Sequence, residues 1–357
     1  MPDCIDYAFT VCAVADLGKT AVKTITRGVG GSLMKKDFDL VLRWKFSPAA
    51  AESHEAMAAQ LRGLALDRRK MVVMGEPVAG LDPGKPHRRR WADRASATLC
   101  ATPRGWIALD LDDVVVPPGM GKPERLIDAA VHVRDKLLPT EFVETQMIVT
   151  PTSQSGLRGD GVGRMRLWFA LDRAIPLADL KRWATGLRKV HDLPVDPSVI
   201  QAGQPIYTGR PLFVGMADPI SPDMHAVVVS GFCAVTVALA VSEFDVQAAA
   251  IDSGVTHAAR ATGGDWRRLL EATLGTNGFF EPLTQALGLA ARKTDSIGDI
   301  AAFIAALLTE RADPVRRLQY NGAWVRRTVE RFRRADERSQ TEITSLHARI
   351  FGGQSNG

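Results

Sequence analysis

Polar residues interrupt an otherwise apolar run near the middle of the chain. The segment GWIALDLDDVVV, residues 105–116, has the alternation of a β-strand. Its apolar residues Leu109 and Leu111 point to one face, and Asp110 and Asp112 point to the other. Two carboxylates this close repel each other, so the strand predicts either a wet strand end or a cation that bridges the pair.

The segments around this strand predict a complete small fold. TQMIVT and RMRLWFAL are typical of strands, whereas KPERLIDAAVHVRDKLL and PLADLKRWATGLRKVH repeat apolar residues at helical spacing. A last strand is predicted around IYTGRPLFVG. The order β-α-β-β-α-β is typical of the split βαβ arrangement, which predicts an α+β fold with helices on one face of an antiparallel sheet and the other face free.

The regions before and after this core differ in their pattern of apolar and polar residues. The N-terminal part predicts an α/β elaboration, with a helix over SPAAAESHEAMAAQLRGLAL that Ser47 would cap. Beyond about residue 243, the apolar spacing is helical throughout. We therefore predict a catalytic domain at residues 1–251, a linker at 252–264, a small helical domain at 265–340 and a mostly flexible tail at 341–357.

Composition narrows the class of protein only slightly. The 357 residues are 46% hydrophobic and 24% charged, with a formal net charge of +5, which fits a nucleic-acid or nucleotide partner. The four cysteines lack metal-ligand spacing, so neither a zinc site nor a disulfide framework is predicted. We see no secretion signal, and the apolar window 226–241 is short for a membrane span, so a cytoplasmic protein with no membrane partner is expected.

Further charged residues are predicted to lie near the paired carboxylates. Arg164 and Arg166 share one face of a neighbouring strand, and Asp196 lies in LPVDPS just before the predicted last strand. Three carboxylates can hold two divalent cations for nucleotidyl transfer, and arginines can bind the triphosphate. LGKT at 17–20 is not a P-loop, because Ala13 occupies the position that a glycine would need. A fused NTPase or helicase is therefore not predicted.

Several motifs together resemble the archaeo-eukaryotic primase superfamily, the primase-polymerases, and in particular its plasmid and phage branch. WIALDLDD resembles the family's acidic strand, and PVDPS resembles its third, acidic element. TSQSG with RMRLWFALDRAIP resembles the second element, and QPIYTGRPLF resembles the strand that follows. The resemblance covers roughly residues 95–215 and implies an RRM-like palm.

The resemblance also implies roles for individual residues. Asp110, Asp112 and Asp196 would bind two divalent ions, Mg²⁺ or Mn²⁺. Arg166 occupies the place of the family's phosphate-contacting histidine. The expected nucleotide-binding residues are Ser153, Ser155, Arg164, Arg166, Tyr207 and Arg210, and the expected DNA-binding residues in the helical domain are Trp324, Arg326, Arg327 and Arg331.

The implied activity is a DNA-dependent primase that makes short primers from nucleoside triphosphates on single-stranded DNA. It would serve plasmid or phage replication in a bacterial host, beside a separate replicative helicase. Two alternatives remain: a gap-filling or translesion polymerase, and a catalytically silent replication initiator or single-stranded DNA-binding protein. Every catalytic interpretation requires Asp196 to lie on the same side of the sheet as Asp110 and Asp112.

Overall fold

The computed structural model divides into two compact units, Met1–Val246 and Gln247–Gly357. The first unit is described over residues 7–90, 97–157, 159–190, 192–232 and 234–235. The second is described over residues 265–275, 280–291, 295–312, 317, 320–322, 325–326, 328–330 and 333. The predicted linker 252–264 and tail 341–357 lie outside the described residues.

The first unit mixes strands and helices, an α+β architecture. Its helices are α1 His54–Leu66, α2 Leu126–His132 and α3 Leu177–Val190. Its strands are β1 Phe9–Val14, β2 Thr24–Arg27, β3 Leu33–Lys36, β4 Trp44–Ala49, β5 Lys70–Val73, β6 Glu76–Pro77, β7 Leu99–Cys100, β8 Arg104–Val115, β9 Met147–Pro151, β10 Val162–Ile175, β11 Leu212–Val214 and β12 Val227–Val229.

A four-stranded antiparallel sheet forms the centre of this unit, with the order β12-β9-β10-β8. One of its faces carries Leu109 of β8 and the facing Leu167 of β10, both fully buried. On the same face, the Phe142 ring packs edge-on against Phe169, 4.9 Å away, and stacks on Trp183 of α3 at 5.2 Å. This apolar layer leaves the polar side chains of β8 and β10 for the opposite face.

The prediction of a last strand of this sheet around residues 206–215 is wrong. β11 forms there but pairs in parallel with β2, in a separate sheet with the order β11-β2-β3. The place beside β8 is taken by an isolated bridge between Leu111 and Val195. Pro194 and Pro197 flank this short segment, and proline has no backbone N–H to extend the ladder.

The predicted free face is open only at one end. Trp106 and Trp168 lie on that face and are fully buried, and the Trp106 indole donates to the carbonyl of Ala8, 2.9 Å away. The N-terminal elaboration that covers this end includes a three-stranded antiparallel sheet with the order β4-β1-β5. The open end of the face is therefore limited to the part of β8 and β10 that carries Asp110 and Arg166.

Helix α1 begins later than the sequence predicted. Ser47 lies within β4, opposite Val11 of β1, and is not a helix cap. Ser53 caps the helix instead, and its hydroxyl accepts a hydrogen bond from the Ala56 N–H at 3.0 Å. Pairing with β1 keeps the residues before Ser53 extended, so tertiary contact overrides the local helix signal there.

The second unit contains the helices α4 Trp266–Thr273, α5 Phe280–Ala291 and α6 Ile297–Arg311. Asp265 and Ser296 cap α4 and α6 through their side chains. The buried Trp266 donates to Asp295 at 2.8 Å, within an apolar cluster that joins all three helices. Within the described parts of the chain, no helix has both the length and the apolar character needed to cross a membrane.

Candidate active site

Backbone hydrogen bonds along the outer edge of β8 bring the three acidic residues together. The Asp196 N–H donates to the Asp110 carbonyl at 3.0 Å, and the Asp112 N–H donates to the Pro194 carbonyl at 3.2 Å. Asp110, Asp112 and Asp196 consequently line a single pocket at the open end of the sheet. The arrangement on one side of the sheet that the catalytic interpretation required is present.

A β-bulge in β8 lies at the edge of this pocket. Leu111 faces Met165 and Val114 faces Gly163, so Asp112 and Asp113 together oppose the single residue Arg164 of β10. Asp113 has a φ of 60°, in the left-handed region that residues with a side chain seldom adopt. The bulge therefore turns the end of β8 at the point where its acidic side chains meet the arginines of β10.

The arginines of β10 are paired with the carboxylates of β8. The side chain of Arg166 is 7% exposed; it contacts Asp110 at 2.7 Å and donates to the Tyr207 carbonyl at 2.9 Å. Arg164 contacts Asp112, with its Nε 3.0 Å from Asp112 Oδ1. The predicted face-sharing of the two arginines with the two carboxylates thus takes the form of two adjacent ion pairs.

Asp110 is suited to binding a cation. Its Oδ2 receives Arg166, whereas its buried Oδ1 has no hydrogen-bond partner in the part of the chain that is described. Burial raises the pKa of Asp110 against the opposing effect of Arg166, and the nearby charges of Asp112 and Asp196 raise it further. A divalent cation would lower this electrostatic cost, and an all-oxygen ligand set is what Mg²⁺ and Mn²⁺ prefer.

The three carboxylates nevertheless do not form a ready-made metal cage. Among the described residues, no group of three or more His, Cys, Asp or Glu side chains is arranged to hold a metal ion. Asp112 is turned to Arg164, and Asp196 accepts hydrogen bonds from the backbone and hydroxyl of Ser198, both at 2.9 Å. Binding of two cations would require these two side chains to exchange their present partners.

The remaining residues predicted to bind nucleotide also line this pocket: Ser153, Ser155, Arg164, Arg166, Tyr207 and Arg210. The hydroxyl of Ser155 is already engaged within the protein. Its hydroxyl accepts from the Thr152 N–H at 2.8 Å and donates to the Arg164 carbonyl. Ser155 therefore shapes the loop that precedes β10.

The N-terminal elaboration contributes a wall that the sequence did not predict. The ring of Phe38 stacks on Tyr207, with the two centroids 3.4 Å apart, and the Lys23 ammonium lies 4.7 Å from the Phe38 centroid. All three side chains line the pocket. Neither Lys23 nor Phe38 belongs to a recognisable motif, and the pairing of β2 with β11 that brings them near Tyr207 is a long-range contact.

A second polar cluster in the pocket was also missed in part. Arg210 contacts Asp218 Oδ2 through Nε at 3.0 Å and through Nη2 at 2.8 Å, and His225 Nε2 lies 3.7 Å from the same oxygen. Arg210 was predicted from the sequence, but Asp218 and His225 were not. Their only sequence signal is a proline-rich turn region, ADPISPDMH, which by itself indicates a loop.

The predicted DNA-binding residues are mostly beyond what the structure describes. Arg326 is exposed in a helical segment of the second unit. Trp324, Arg327 and Arg331 lie outside the described residues. Their predicted contact with single-stranded DNA stays a prediction.

Comparisons with known proteins add little to this geometry. No protein-family model matches the chain, and no curated protein matches it either. Among solved structures, the crystal structure of primase RepB' is similar with a TM-score of 0.26 and 14% identity. The alignment covers 94% of this chain and 95% of that chain. A TM-score this low does not establish a shared fold, so any assignment of function depends on the chemistry of the pocket.

Proposed function

We propose that this chain is a nucleotidyltransferase, a DNA-dependent primase or primase-polymerase that synthesises short primers on single-stranded DNA. The observation that carries the proposal is the single pocket lined by Asp110, Asp112 and Asp196 together with Arg164 and Arg166. Carboxylates that can hold divalent cations, next to arginines that can hold phosphates, meet two requirements of phosphoryl transfer.

The charge balance of the pocket supports the same ligand. The described lining residues include four acidic and four basic side chains, whose formal charges cancel: Asp110, Asp112, Asp196 and Asp218 against Lys23, Arg164, Arg166 and Arg210. A nucleoside triphosphate carries about four negative charges, which two divalent cations would also balance. The loaded pocket would therefore stay near neutral in charge. The carboxylates would contact the cations, and the arginines would contact the phosphates.

The ion pairs indicate how the chain would receive its substrates. When Asp112 serves as a cation ligand, the guanidinium group of Arg164 is released to bind phosphate oxygens. Asp110 can bind a cation through its Oδ1, which has no partner among the described residues, while its Oδ2 keeps Arg166. The Nε of Arg166, which is likewise unpartnered there, can still donate to a phosphate. Arg166 keeps its direction because the Tyr207 carbonyl still accepts its Nη1 at 2.9 Å. Two bound Mg²⁺ or Mn²⁺ ions would supply charge neutralisation and alignment for attack of a 3′-hydroxyl on the α-phosphorus.

The central sheet supports an RRM-like palm as the finer description of the fold. β8, α2, β9, β10 and α3 follow each other in the order expected for a split βαβ unit. The bridge at Val195 stands where such a unit has its last strand, on the free edge of β8. This edge is what carries Asp196 to the pocket.

The biological setting follows from the proposed activity. Its partners would be single-stranded template DNA and nucleoside triphosphates, with the helical unit gripping the template through Trp324, Arg326, Arg327 and Arg331. A separate replicative helicase would act beside the enzyme. Such a primase would serve plasmid or phage replication in the cytoplasm of a bacterial host.

The test is synthesis on an unprimed template. The purified protein is incubated with labelled nucleotides, single-stranded DNA and Mg²⁺ or Mn²⁺, and the products are sized. Asp112→Asn should lower synthesis by about 10²-fold or more while leaving DNA affinity nearly unchanged. The matched control is Asp128→Asn, because Asp128 is a half-exposed carboxylate of α2 outside the pocket lining. Full activity of Asp112→Asn would refute the proposed mechanism.

A second candidate function is a catalytically silent initiator or single-stranded DNA-binding protein. It is favoured by the pairing of Asp110 and Asp112 with arginines, which satisfies both charges without any metal. This candidate predicts that the wild-type protein binds DNA but extends nothing with either metal. Extension of a primed template without synthesis on an unprimed one would instead indicate a gap-filling or translesion polymerase.

A further inference from the structure

Unpartnered polar atoms are concentrated in the pocket. Most buried polar atoms in proteins have hydrogen-bond partners, so a cluster without them indicates a ligand that supplies the missing bonds. Within the described residues, the buried side-chain atoms of the pocket lining that have no partner are Asp110 Oδ1, Thr152 Oγ1, Arg166 Nε, Thr208 Oγ1 and His225 Nε2. Three of these residues, Thr152, Thr208 and His225, have no part in the cation site proposed above.

His225 is the most informative of the three. Its side chain is only 7% exposed, and the residue lines the pocket at the end of a 3₁₀ turn, Pro222–His225. A hydrogen bond to the backbone of Ile220 raises the pKa of His225. Because this bond favours the protonated ring, the ring is its donor. In the neutral ring, the nitrogen left unpaired is then Nε2, with a lone pair and no proton.

Charged groups from several elements surround His225. Arg210 and Asp218 lie beside the ring, and the Asp223 carboxylate acts on it from within the same turn. Arg62 of α1 reaches the next residue, with Nη1 2.7 Å from the Ala226 carbonyl. β9, which also packs on this turn, has no ionisable side chain. Burial lowers the pKa of His225, as does Arg210, against the opposing effect of Asp218, so the ligand-free ring is neutral near pH 7.

We propose that His225 and Arg210 form a phosphate-binding subsite of the pocket, and that His225 takes up a proton when a nucleoside triphosphate binds. This inference rests on the proposed nucleotide site and deepens it. A neutral Nε2 and a phosphate oxygen are both acceptors and repel each other, so contact between them requires one added proton. The proton comes from solvent, and the resulting imidazolium donates to the phosphate without any bond being broken.

Arg210 and Thr208 supply the rest of the subsite. Arg210 donates two hydrogen bonds to Asp218 and has further N–H groups that can bind a ligand. Thr208 offers its hydroxyl as a donor from the same stretch of chain. A subsite with a cation, a hydroxyl and a histidine that can become cationic favours an anion over a neutral base or sugar.

The experiment measures proton uptake with inorganic tripolyphosphate in the absence of metal, so it does not depend on catalysis. Calorimetric titrations near pH 7 in two buffers of different ionisation enthalpy give the number of protons bound per ligand. Wild-type protein is compared with His225→Gln, which keeps hydrogen bonding but cannot take up the proton. His132→Gln is the matched control, because His132 is a half-buried histidine of α2 outside the pocket lining. A single-stranded DNA titration identifies uptake driven by backbone phosphates instead.

The expected result is that wild type and His132→Gln take up about one proton more than His225→Gln, and that the affinity of His225→Gln depends less steeply on pH. Above neutral pH, the wild-type affinity should weaken by up to about tenfold per pH unit. Equal proton uptake by wild type and His225→Gln would overturn the inference. So would proton uptake on titration with single-stranded DNA but not with tripolyphosphate. If circular dichroism shows that His225→Gln does not fold, the imidazole NMR signals of the wild-type protein give the same readout, and unshifted signals would overturn it. Proton-linked binding without any primer synthesis would refute the proposed function and leave this inference standing.

Discussion

Asp110 and Arg166 face each other directly across β8 and β10, and their side chains meet at 2.7 Å with little solvent around them. The antiparallel register places the two side chains next to each other, because cross-strand partners share one face of the sheet. Asp110 therefore reaches the pocket with one oxygen neutralised by Arg166 and the other without a hydrogen-bond partner in the described chain. The pair stabilises the folded protein without ligands. In the proposed function, the same two side chains bind the substrates.

A double-mutant cycle measures the folding part of this pair. Arg166→Met leaves the buried Asp110 without its cation, so we expect the free energy of unfolding to fall by about 3–5 kcal/mol. Combining Arg166→Met with Asp110→Asn should cost less than the sum of the two single changes, because the second change removes the uncompensated charge. Urea denaturation followed by circular dichroism gives all four values. Strict additivity would mean that the two side chains are not coupled in solution.

The left-handed backbone at the bulge predicts which substitutions of Asp113 leave the protein more stable. Because Asp113 has a φ of 60°, Asp113→Gly should be more stable than Asp113→Ala by about 1–2 kcal/mol. The same pair of substitutions at Asp128, inside α2, should give the reverse order, with glycine about 1 kcal/mol less stable than alanine. Urea denaturation of the four variants tests both orders. The same order at both positions would show that residue 113 is not left-handed.

Much of the central fold and the pairing of Asp110 with Asp112 on one face could be predicted from sequence, because both depend on local periodicity. β8, β9, β10 and α3 follow their predicted positions closely. Alternation along β8 put Asp110 and Asp112 on one face, and the bridge at Val195 holds Asp196 beside them although the predicted last strand belongs to a separate sheet. The positions of Asp110 and Asp112 needed only the period of a strand, whereas the role of Asp196 was implied by the resemblance of PVDPS to the family's third element.

The errors come from contacts between distant parts of the chain. β11 pairs with β2 because of a surface built by the N-terminal elaboration, and nothing local in IYTGRPLFVG identifies that partner. The same long-range pairing brings Phe38 to the pocket wall. His225 was missed because its loop has turn chemistry but no periodicity, so only the folded chain reveals its burial.

The buried thiol of Cys12 predicts a specific pH dependence. Burial raises the pKa of Cys12 to about 12, whereas the thiol of an unfolded chain titrates near about 8.5. At alkaline pH the unfolded state therefore loses a proton that the folded state keeps. The stabilisation by this group is complete below about pH 8.5 and declines as the pH rises towards 12.

Two measurements test this consequence of burial. Peptide mapping after brief iodoacetamide treatment near about pH 8.5 should find Cys12 unmodified in the folded protein and modified in urea. Cys100, which is partly exposed, is the internal control and should react while the protein is folded. Urea midpoints measured from neutral to alkaline pH should fall less steeply for Cys12→Ala than for the wild type. Rapid modification of Cys12 in the folded protein would contradict its burial.

The helical unit gives a prediction about template binding. If Arg326, Arg327 and Arg331 contact phosphates of single-stranded DNA, binding releases the counterions that those phosphates hold, and affinity falls steeply with salt. Each lost contact should lower the slope of log affinity against log salt by about 0.7, so changing all three residues to Gln should lower it by about 2. Fluorescence anisotropy with a labelled oligonucleotide at several salt concentrations measures this slope. Arg125→Gln is the control, because Arg125 is a half-exposed arginine beside α2 that pairs with Asp128. An unchanged slope in the triple variant would assign template binding to another surface of the chain.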